Sequence, residues 1–468
     1  MNGIVACGGY IPYNRLERKA IAAALGASAG QGTRSVASYD EDTTSMAVEA
    51  ARTALRGAPG VVPMALYFAT AAPGYLDKTN ATAIHAALDL DAGAAAFDML
   101  GSARSAIGAL GAALDAGRPT LVAMSDIRTG LPGGADEAQG GDAAVAFLCA
   151  SEADAPLLAA PIGWASATAE FLERWRLPGE SASHQWEERF GEHAYLPLAE
   201  AALGEALERA RVTAGAIDHL VVAGLHGRAV KRAAAAAGVK PGAIGDDLTG
   251  AIGNTGAAHA GLLLADALDR AQPDQVIAML SLADGADAVI WRTRDGLAKR
   301  RAGASIASQA AGGGRVSYAT FLTWRGFLDR EPPRRPDPPR PAAPPSFRRE
   351  GWKFGFTGSR CTACGARHLP PQRVCVKCQA VDRMTPERMA DVPATISTYT
   401  VDRLAYSLSP PVVAAVIDFE GGGRFQCELT DVDPAAVKIG DQVEMTFRRL
   451  FTAHGVHNYF WKARPRRG

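Results

Sequence analysis

The sequence has no surplus of charge of either sign: 49 Lys and Arg face 49 Asp and Glu across 468 residues. Nucleic acids and acidic membranes leave a basic footprint on the proteins that bind them, so neither is expected as a partner. No apolar run approaches the roughly 18 residues that span a bilayer. The opening MNGIVACGGYIP lacks the charged, apolar and small-residue order of a secretory leader, and a cytoplasmic location is expected. Cysteine is sparse. Seven in a chain this long do not make a disulfide scaffold, and none falls between Cys7 and Cys149. Cys7, Cys149 and Cys427 lie in apolar runs and read as core thiols.

What is present points to an α/β protein of two or three domains, since the chain exceeds what one core usually holds. From Gly3 to Ile290 short apolar runs alternate with helical patterns, the mark of helix-covered parallel sheets. Strands are expected at Gly3–Cys7, Met64–Thr70, Ala94–Asp98, Thr120–Met124, Ala143–Cys149, His219–Ala223, Gln275–Leu280 and Ala288–Trp291. Helices are expected at Thr44–Leu55, Leu198–Ala210, Ala229–Ala237 and Gly256–Leu268. The order strand, helix, strand, helix and two closing strands occurs before about residue 160 and again from 198 to 292, which suggests a duplication. Asp40–Thr44 places acids and hydroxyls ahead of the first helix, as a helix N-terminus favours. The stretch FDMLGSARSAIGALGAAL, Phe97–Leu114, reads as a strand end, a tight turn and a buried alanine-rich helix. Such junctions hold ligands and nucleophiles in α/β proteins, and Ser102 and Ser105 are the side chains on offer.

Residues 331–346, EPPRRPDPPRPAAPPS, are too rich in proline for a helix or sheet interior and predict an extended spacer. Beyond it, Cys361-Thr-Ala-Cys364 and Cys375-Val-Lys-Cys378 form a paired CxxC. Each pair puts two thiolates on one knuckle, and two knuckles close a tetrahedron around zinc. A four-sulfur shell has no open position, so a Zn2+ there is expected to be structural, with His368 as a bystander. Runs at Thr395–Val401, Val412–Phe419, Arg424–Leu429, Gln442–Phe447 and His457–Lys462 then predict a small OB-type β-barrel. Arg448, Arg449, His454, His457, Tyr459, Phe460, Trp461 and Lys462 form its basic and aromatic cluster, which suits either a barrel edge or a contact with the first domain.

Residues 1 to about 330 resemble the thiolase superfamily, in particular the archaeal and bacterial 3-hydroxy-3-methylglutaryl-CoA (HMG-CoA) synthases. The resemblance runs through GIVACGGYIP, DEDTTSMAVEAARTAL, KTNATAIHAAL, GGDAAVAFL, RFGEHAYLPL, AIGNTGAAHAGLLLADAL and VSYATFLTWRG. Residues 347–466 resemble the zinc-ribbon/OB-fold family of acyl-CoA-associated proteins, through CTACGARHLPPQRVCVKC, ISTYTV, DVDPAAVKIGDQVEMTFR and FWKARP. The resemblance implies an α/β, duplicated thiolase-like fold in αβαβα layers, with a C-terminal zinc ribbon and a small OB-type β-barrel. The implied domains are 1–165 and 166–330 for the two halves, 331–346 for the linker, 347–385 for the ribbon and 386–468 for the barrel.

It also implies an active site built from Cys, His, Asn and Glu, and these carry over unevenly. Asn254, in Gly253-Asn254-Thr255-Gly256, matches the family's GN turn and would donate its amide to a thioester oxygen. The cysteine position falls between Leu100 and Ala103, where Ser102 is the nearest polar group. The histidine position falls on Ala223, with His226 three residues on. The glutamate position falls on Ala71, with Tyr75 and Asp77 closest. His259 follows the GN turn, Arg34 lies where relatives place a basic residue near the CoA nucleotide, and His85 reads as core- or dimer-facing.

These substitutions argue against acyl transfer through cysteine. The expected activity is aldol or retro-aldol chemistry on a coenzyme A thioester without an acyl-cysteine, with Asn254 holding the thioester oxygen and Ser102, His226, His259 or Tyr75 moving the proton. The alternatives are a non-catalytic acyl-CoA-binding scaffold subunit, and a serine-dependent acyltransferase or synthase-like condensing enzyme. The expected partners are acyl-CoA, a second copy of the chain in a homodimer, and a second acyl-CoA enzyme.

Overall fold

The computed structural model describes residues 1–26, 30–299, 304–334, 336 and 338–466. The chain divides into two compact units. The first comprises Met1–Ala37, Met46–Thr82 and Asp91–Tyr318, and the second Ser38–Ser45, Ala83–Leu90 and Ala319–Gly468.

The first unit is organised on nine strands: β1 (Asn2–Tyr10), β2 (Ala65–Thr70), β3 (Ala95–Leu100), β4 (Thr120–Ile127), β5 (Asp142–Ser151), β6 (Ala159–Ala167), β7 (His219–Gly224), β8 (Val276–Leu282) and β9 (Ala286–Thr293). Their spatial order is β7-β8-β9-β6-β1-β5-β4-β2-β3. The two halves repeat one pattern. In the first, β2 runs parallel to β4, β4 antiparallel to β5, and β5 antiparallel to β1. In the second, β7, β8, β9 and β6 repeat those relations in turn. The halves meet at the single pair Ile4↔Ala159. The counterpart of β3 in the second half is reduced to one parallel bridge, Leu220↔Ile244.

Two helices fill the space between the halves, α2 (Arg104–Asp115) and α5 (His259–Arg270). Alanine and glycine make up half of α2 and a third of α5, and these small residues let the backbones come close to the strands. Leu110 of α2 and Leu264 of α5 are fully buried in one cluster with Val122 and Phe147 of the first half and Met279 and Val289 of the second. Burying a leucine contributes about 1.5–3 kcal/mol, and α5 buries every residue from His259 to Leu268. Helix α3 (Glu188–Ala210) covers the other face of the second half, through Tyr195, Ala199, Ala202 and Ala206 against Val222, Leu280 and Ile290. Helices α1 (Thr43–Gly57) and α4 (Gly227–Ala236) complete the repeat.

Three elements depart from expectation. Strand β6 carries Pro161 and Gly163, which break the apolar alternation that marks a strand. Helix α3 begins ten residues before the expected Leu198 because it continues through Pro197. In the proline-rich segment, Ala343–Arg348 is helical, because proline suits the first turn of a helix. Residues 335 and 337 of that segment lie outside the described residues.

In the second unit, β10 (Thr357–Cys361), β11 (Arg367–His368) and β12 (Met384–Arg388) form a three-stranded ribbon. A closed barrel follows: β13 (Ala394–Asp402), β14 (Val412–Phe419), β15 (Arg424–Leu429), β16 (Gln442–Ala453) and β17 (Val456–Pro465), in the order β13-β14-β15-β17-β16. Among the described residues no helix is long and apolar enough to cross a membrane.

Candidate functional site

The turn from β3 into α2 places Ser102 at the helix start. Its Oγ accepts from the backbone N–H of Arg104 at 3.2 Å, while the Ser105 hydroxyl donates back to the Leu100 carbonyl at 3.1 Å. The Ser102 hydroxyl also meets the carboxyl of Asp284, on the tight turn between β8 and β9. Asp284 is exposed, yet partial desolvation raises its pKa, and the neighbouring Ser102 hydroxyl works against that rise. Asp284 has φ +49°, a left-handed conformation that aspartate tolerates better than most residues. Arg104 fixes this corner. Its guanidinium donates to the Asp284 carbonyl at 2.7 Å and to the Asp287 carboxylate at 2.8 Å, and the Ser166 hydroxyl donates to Asp287 at 2.6 Å. From Ser102 an open groove of about 970 Å³ runs along α2 between Ile107 and Gly111 on one side and Pro161–Trp164 of β6 on the other. It is polar at the Ser102 end and largely apolar beyond, and its size suits a ligand.

Asn254 is held from several directions. Its backbone N–H donates to Gln139 and its carbonyl accepts from Gly141, both at 2.8 Å. Its Oδ1 accepts from the N–H of Gly256 at 3.0 Å, and its Nδ2 donates to the carbonyl of Gly224, at the end of β7, at 2.7 Å. One of the two amide hydrogens is therefore used, and the second meets no acceptor among the described residues. The turn needs glycine at position 256: φ is +56°, and a Cβ would fall 2.1 Å from Oδ2 of Asp126.

Among the described residues no hydrogen bond joins Asn254 to Ser102, Asn254 does not line the groove, and the remaining candidates are each engaged elsewhere. His226 caps α4: its Nδ1 accepts from the N–H of Ala229 at 3.1 Å, and its Nε2 lies 2.7 Å from the carbonyl of Glu188. An acceptor at Nδ1 leaves the proton on Nε2, so both ring nitrogens are engaged. His259 is buried, with Nδ1 accepting from the backbone N–H of Thr255 at 3.3 Å. Burial pushes its pKa down to about 4, against the pull of nearby Asp247. Tyr75 sits in a loop whose backbone is held by Asn80, at 3.0 and 2.9 Å. Arg34 is fully buried, and its guanidinium donates to the carbonyls of Glu137 and Arg128 and pairs with Asp142 at 3.4 Å. It is spent on the protein's own framework, where the resemblance had implied a nucleotide contact.

The neutral His259 has a measurable consequence. The unfolded histidine takes up a proton near pH 6.5, while the folded one stays neutral down to about pH 4. Stability is therefore full above pH 6.5 and falls as pH drops toward 4, by about 3 kcal/mol at about 1.4 kcal/mol per pH unit. Denaturation curves between pH 7 and 4 should show this slope, and it should flatten in His259→Gln.

Sequence reasoning missed Asp284, Arg104 and Glu173. Glu173 lies between β6 and α3, is 6% exposed, and its carboxylate takes no hydrogen bond from any described residue. Burial raises its pKa too, with Arg174 and His226 opposing the rise. The available signals were the Asp-Gly turn at 284–285 and an acid set among the apolar residues of FLERW.

In the second unit the sulfur atoms of Cys361, Cys364, Cys375 and Cys378 lie within 4.8 Å of one another. Two of their separations are 3.7 and 3.5 Å. A tetrahedron with Zn–S bonds of about 2.3 Å has edges of about 3.8 Å, so the four fit zinc. The N–H of Cys378 and the ring of buried His368 both favour the Cys375 thiolate and hold its pKa down.

Two repeated sheet halves around paired central helices, joined to a four-cysteine ribbon and a closed barrel, define a thiolase-superfamily protein fused to a zinc-ribbon/OB module. Residues 355–384 match the ChsH2 rubredoxin-like zinc ribbon domain, and residues 387–448 the ChsH2 C-terminal OB-fold domain. The chain is 30% identical over 356 residues to a hydroxymethylglutaryl-CoA synthase of Methanothermobacter thermautotrophicus, covering 70% of this chain and 99% of that one. It is also 30% identical over 125 residues to a DUF35 domain-containing scaffold protein of Methanocaldococcus jannaschii, covering 26% of this chain and 88% of that one. Among solved structures, PksG, an HMG-CoA synthase from Bacillus subtilis, superposes with a TM-score of 0.59 at 18% identity, over 70% of this chain and 89% of that one. The chain belongs to the hydroxymethylglutaryl-CoA synthase family, with a DUF35-type ribbon and barrel in the same polypeptide.

Proposed function

We propose that this protein makes or breaks a carbon–carbon bond of aldol type on a coenzyme A thioester without forming an acyl-cysteine. The observation behind this reading is the head of the groove, where Ser102, near the exposed carboxyl of Asp284, stands in a stretch without cysteine. An aldol cleavage needs only a base for the β-hydroxyl and donors for the enolate. Asn254 offers one free amide hydrogen for that oxygen. The groove would take the acyl group, and the four-cysteine zinc is structural, since its shell leaves no position for substrate. Strand β3 ends the sheet with Phe97 half exposed, which supports a homodimer.

A second reading is an acyl-CoA-binding scaffold subunit that pairs with another acyl-CoA enzyme. It is favoured by the likeness of the C-terminal module to proteins described as scaffolds.

The test incubates the purified chain with a panel of acyl-CoA and β-hydroxyacyl-CoA esters and follows products and intact protein by mass spectrometry. Release of an aldehyde or ketone with no adduct supports the aldol reading. A stable acyl group on Ser102 replaces it with serine-dependent transfer, and binding without turnover replaces it with the scaffold. Asn254→Ala is expected to lower turnover about 10²-fold, as loss of an oxyanion donor does. Unchanged kinetics in a folded variant would remove Asn254 from the site.

A further inference from the structure

We infer that the second unit carries a binding site for a nucleoside phosphate, in the cleft where the short helices at 343–353 meet the zinc ribbon. The site shares no residue with the groove beside Ser102 and does not depend on the aldol reading. The cleft has a volume of about 640 Å³, within the range of small-ligand pockets. The helices bring Arg348, Arg349 and Trp352 to it, β10 brings Thr357, and the loop after β11 brings Pro370 and Pro371.

The lining is one-sided in charge. Two arginines belong to it and no acid does. Neither guanidinium takes part in an ion pair or a hydrogen bond among the described residues. Nearby Arg367, Arg373 and Arg388 are each paired with a carboxylate, at 2.6, 2.7 and 3.1 Å. Acids thus exist in this region, yet none serves the cleft. Neighbouring guanidiniums repel one another, and an anion between them turns that repulsion into attraction. Their planar forks match phosphate oxygens two at a time.

Trp352 supplies the flat apolar partner. Other rings hold its indole in place: Phe356 stacks on it at 5.2 Å, and Phe460 and Phe425 meet it edge-on at 5.4 and 5.8 Å. It remains only half-buried, and its N–H meets no acceptor among the described residues. A rigid, half-exposed indole is a stacking surface for a base. The Thr357 hydroxyl is buried without a hydrogen-bond partner, 3.9 Å from where a Cβ at Gly351 would stand. Unmatched buried hydroxyls are rare in folded proteins, and this one belongs to a residue of the cleft wall. Two cations, an indole and a spare hydroxyl suit a phosphate joined to a flat ring. That chemistry has two sources, a free nucleotide and the adenosine 3′,5′-bisphosphate end of a coenzyme A ester. A nucleic-acid strand needs a longer basic track than two arginines provide in a chain of balanced charge.

The experiment titrates the full chain by calorimetry with adenosine 3′,5′-bisphosphate, ADP, inorganic pyrophosphate and a short single-stranded oligonucleotide. The titrations are repeated in an Arg348→Gln/Arg349→Gln double variant and in Gly351→Leu, with circular dichroism and zinc content as checks on folding. Both arginines are exposed, and a Cβ at 351 meets nothing closer than 3.8 Å, so both variants are expected to fold. A nucleotide should bind the native chain, and the double variant should weaken it about 10–100-fold. Gly351→Leu should weaken it as well, by filling the cleft. An azido-adenosine nucleotide should cross-link within residues 343–386. Tighter binding of the bisphosphate identifies the coenzyme A end as the source, and tighter binding of ADP a free nucleotide. No nucleotide binding, unchanged binding in the double variant, or cross-linking confined to other residues overturns the site. Pyrophosphate binding as tightly as either nucleotide overturns the nucleoside assignment. An oligonucleotide bound far more tightly than both replaces the proposal with a nucleic-acid surface.

Discussion

Replacing Cys375 by serine, or stripping metal with a strong chelator, is expected to release about one zinc per chain and unfold the ribbon. The four cysteines provide the ribbon's principal internal fastening. Strand β11 is two residues long, and Val374, just before the second knuckle, and Val376, within it, are exposed. A three-stranded piece of this size lacks the apolar area to hold itself, whereas a structural zinc contributes apparent binding energies of about 10–16 kcal/mol. The damage should spread to the barrel. Phe356, immediately before β10, is fully buried with ring centroids 5.1 Å from Phe425 and 5.9 Å from Trp461. Both partners are barrel residues. Metal analysis, and limited proteolysis with sites read by mass spectrometry, give the result. The expectation is early cleavage between residues 357 and 388, followed by cleavage in the barrel. A Cys375→Ser protein that keeps its zinc and its protease resistance would show that the ribbon stands without a complete shell.

The sequence made the sheet legible where side chains alternate or run apolar in short blocks. Strands β4, β5, β7 and β8 fall within a few residues of their apolar runs. It hid β6, because Pro161 and Gly163 break the pattern and the pairing with β9 that makes it a strand lies more than a hundred residues away. The zinc ligands were legible because their spacing alone fixes the geometry. The site was legible at Asn254 and Ser102, where a turn runs into a helix. It was not legible at Glu173 and Asp284, which come from a loop and a hairpin without periodicity. Their meaning arises from where the fold carries them. Arg34 shows the converse: placed by resemblance near a nucleotide, it is instead a fully buried strut bound to carbonyls about a hundred residues away.

Arg448→Ala is expected to destabilise the second unit by about 3–5 kcal/mol, the usual result of removing one partner from a buried ionic cluster. Of the basic and aromatic residues at the end of the chain, which suited a barrel edge or a contact with the first domain, Arg448, Tyr459, Trp461 and Lys462 are buried. Arg448 is fully buried and pairs with Glu41 at 2.8 Å, Asp431 at 2.6 Å and Asp40 at 3.4 Å. Lys462 meets Asp40 at 2.9 Å and Glu428 at 2.5 Å, and the Tyr459 hydroxyl donates to Asp42 at 2.7 Å. The acidic run before α1, expected to serve that helix's N-terminus, thus also supplies counter-charges within the second unit. Burial alone would raise the pKa of Asp40, but Lys462 and Arg448 overcome it and hold the carboxyl down to about 2. That contribution is present above about pH 4 and is lost as pH falls through about 2. Arg448→Ala leaves three buried carboxylates short of a cation, so Asp431→Asn in the same chain should restore part of the loss. Calorimetry of the single and double variants at neutral pH gives the coupling directly. A loss below about 1 kcal/mol, the range of exposed pairs, would mean that water reaches the cluster and that its burial does not set its strength.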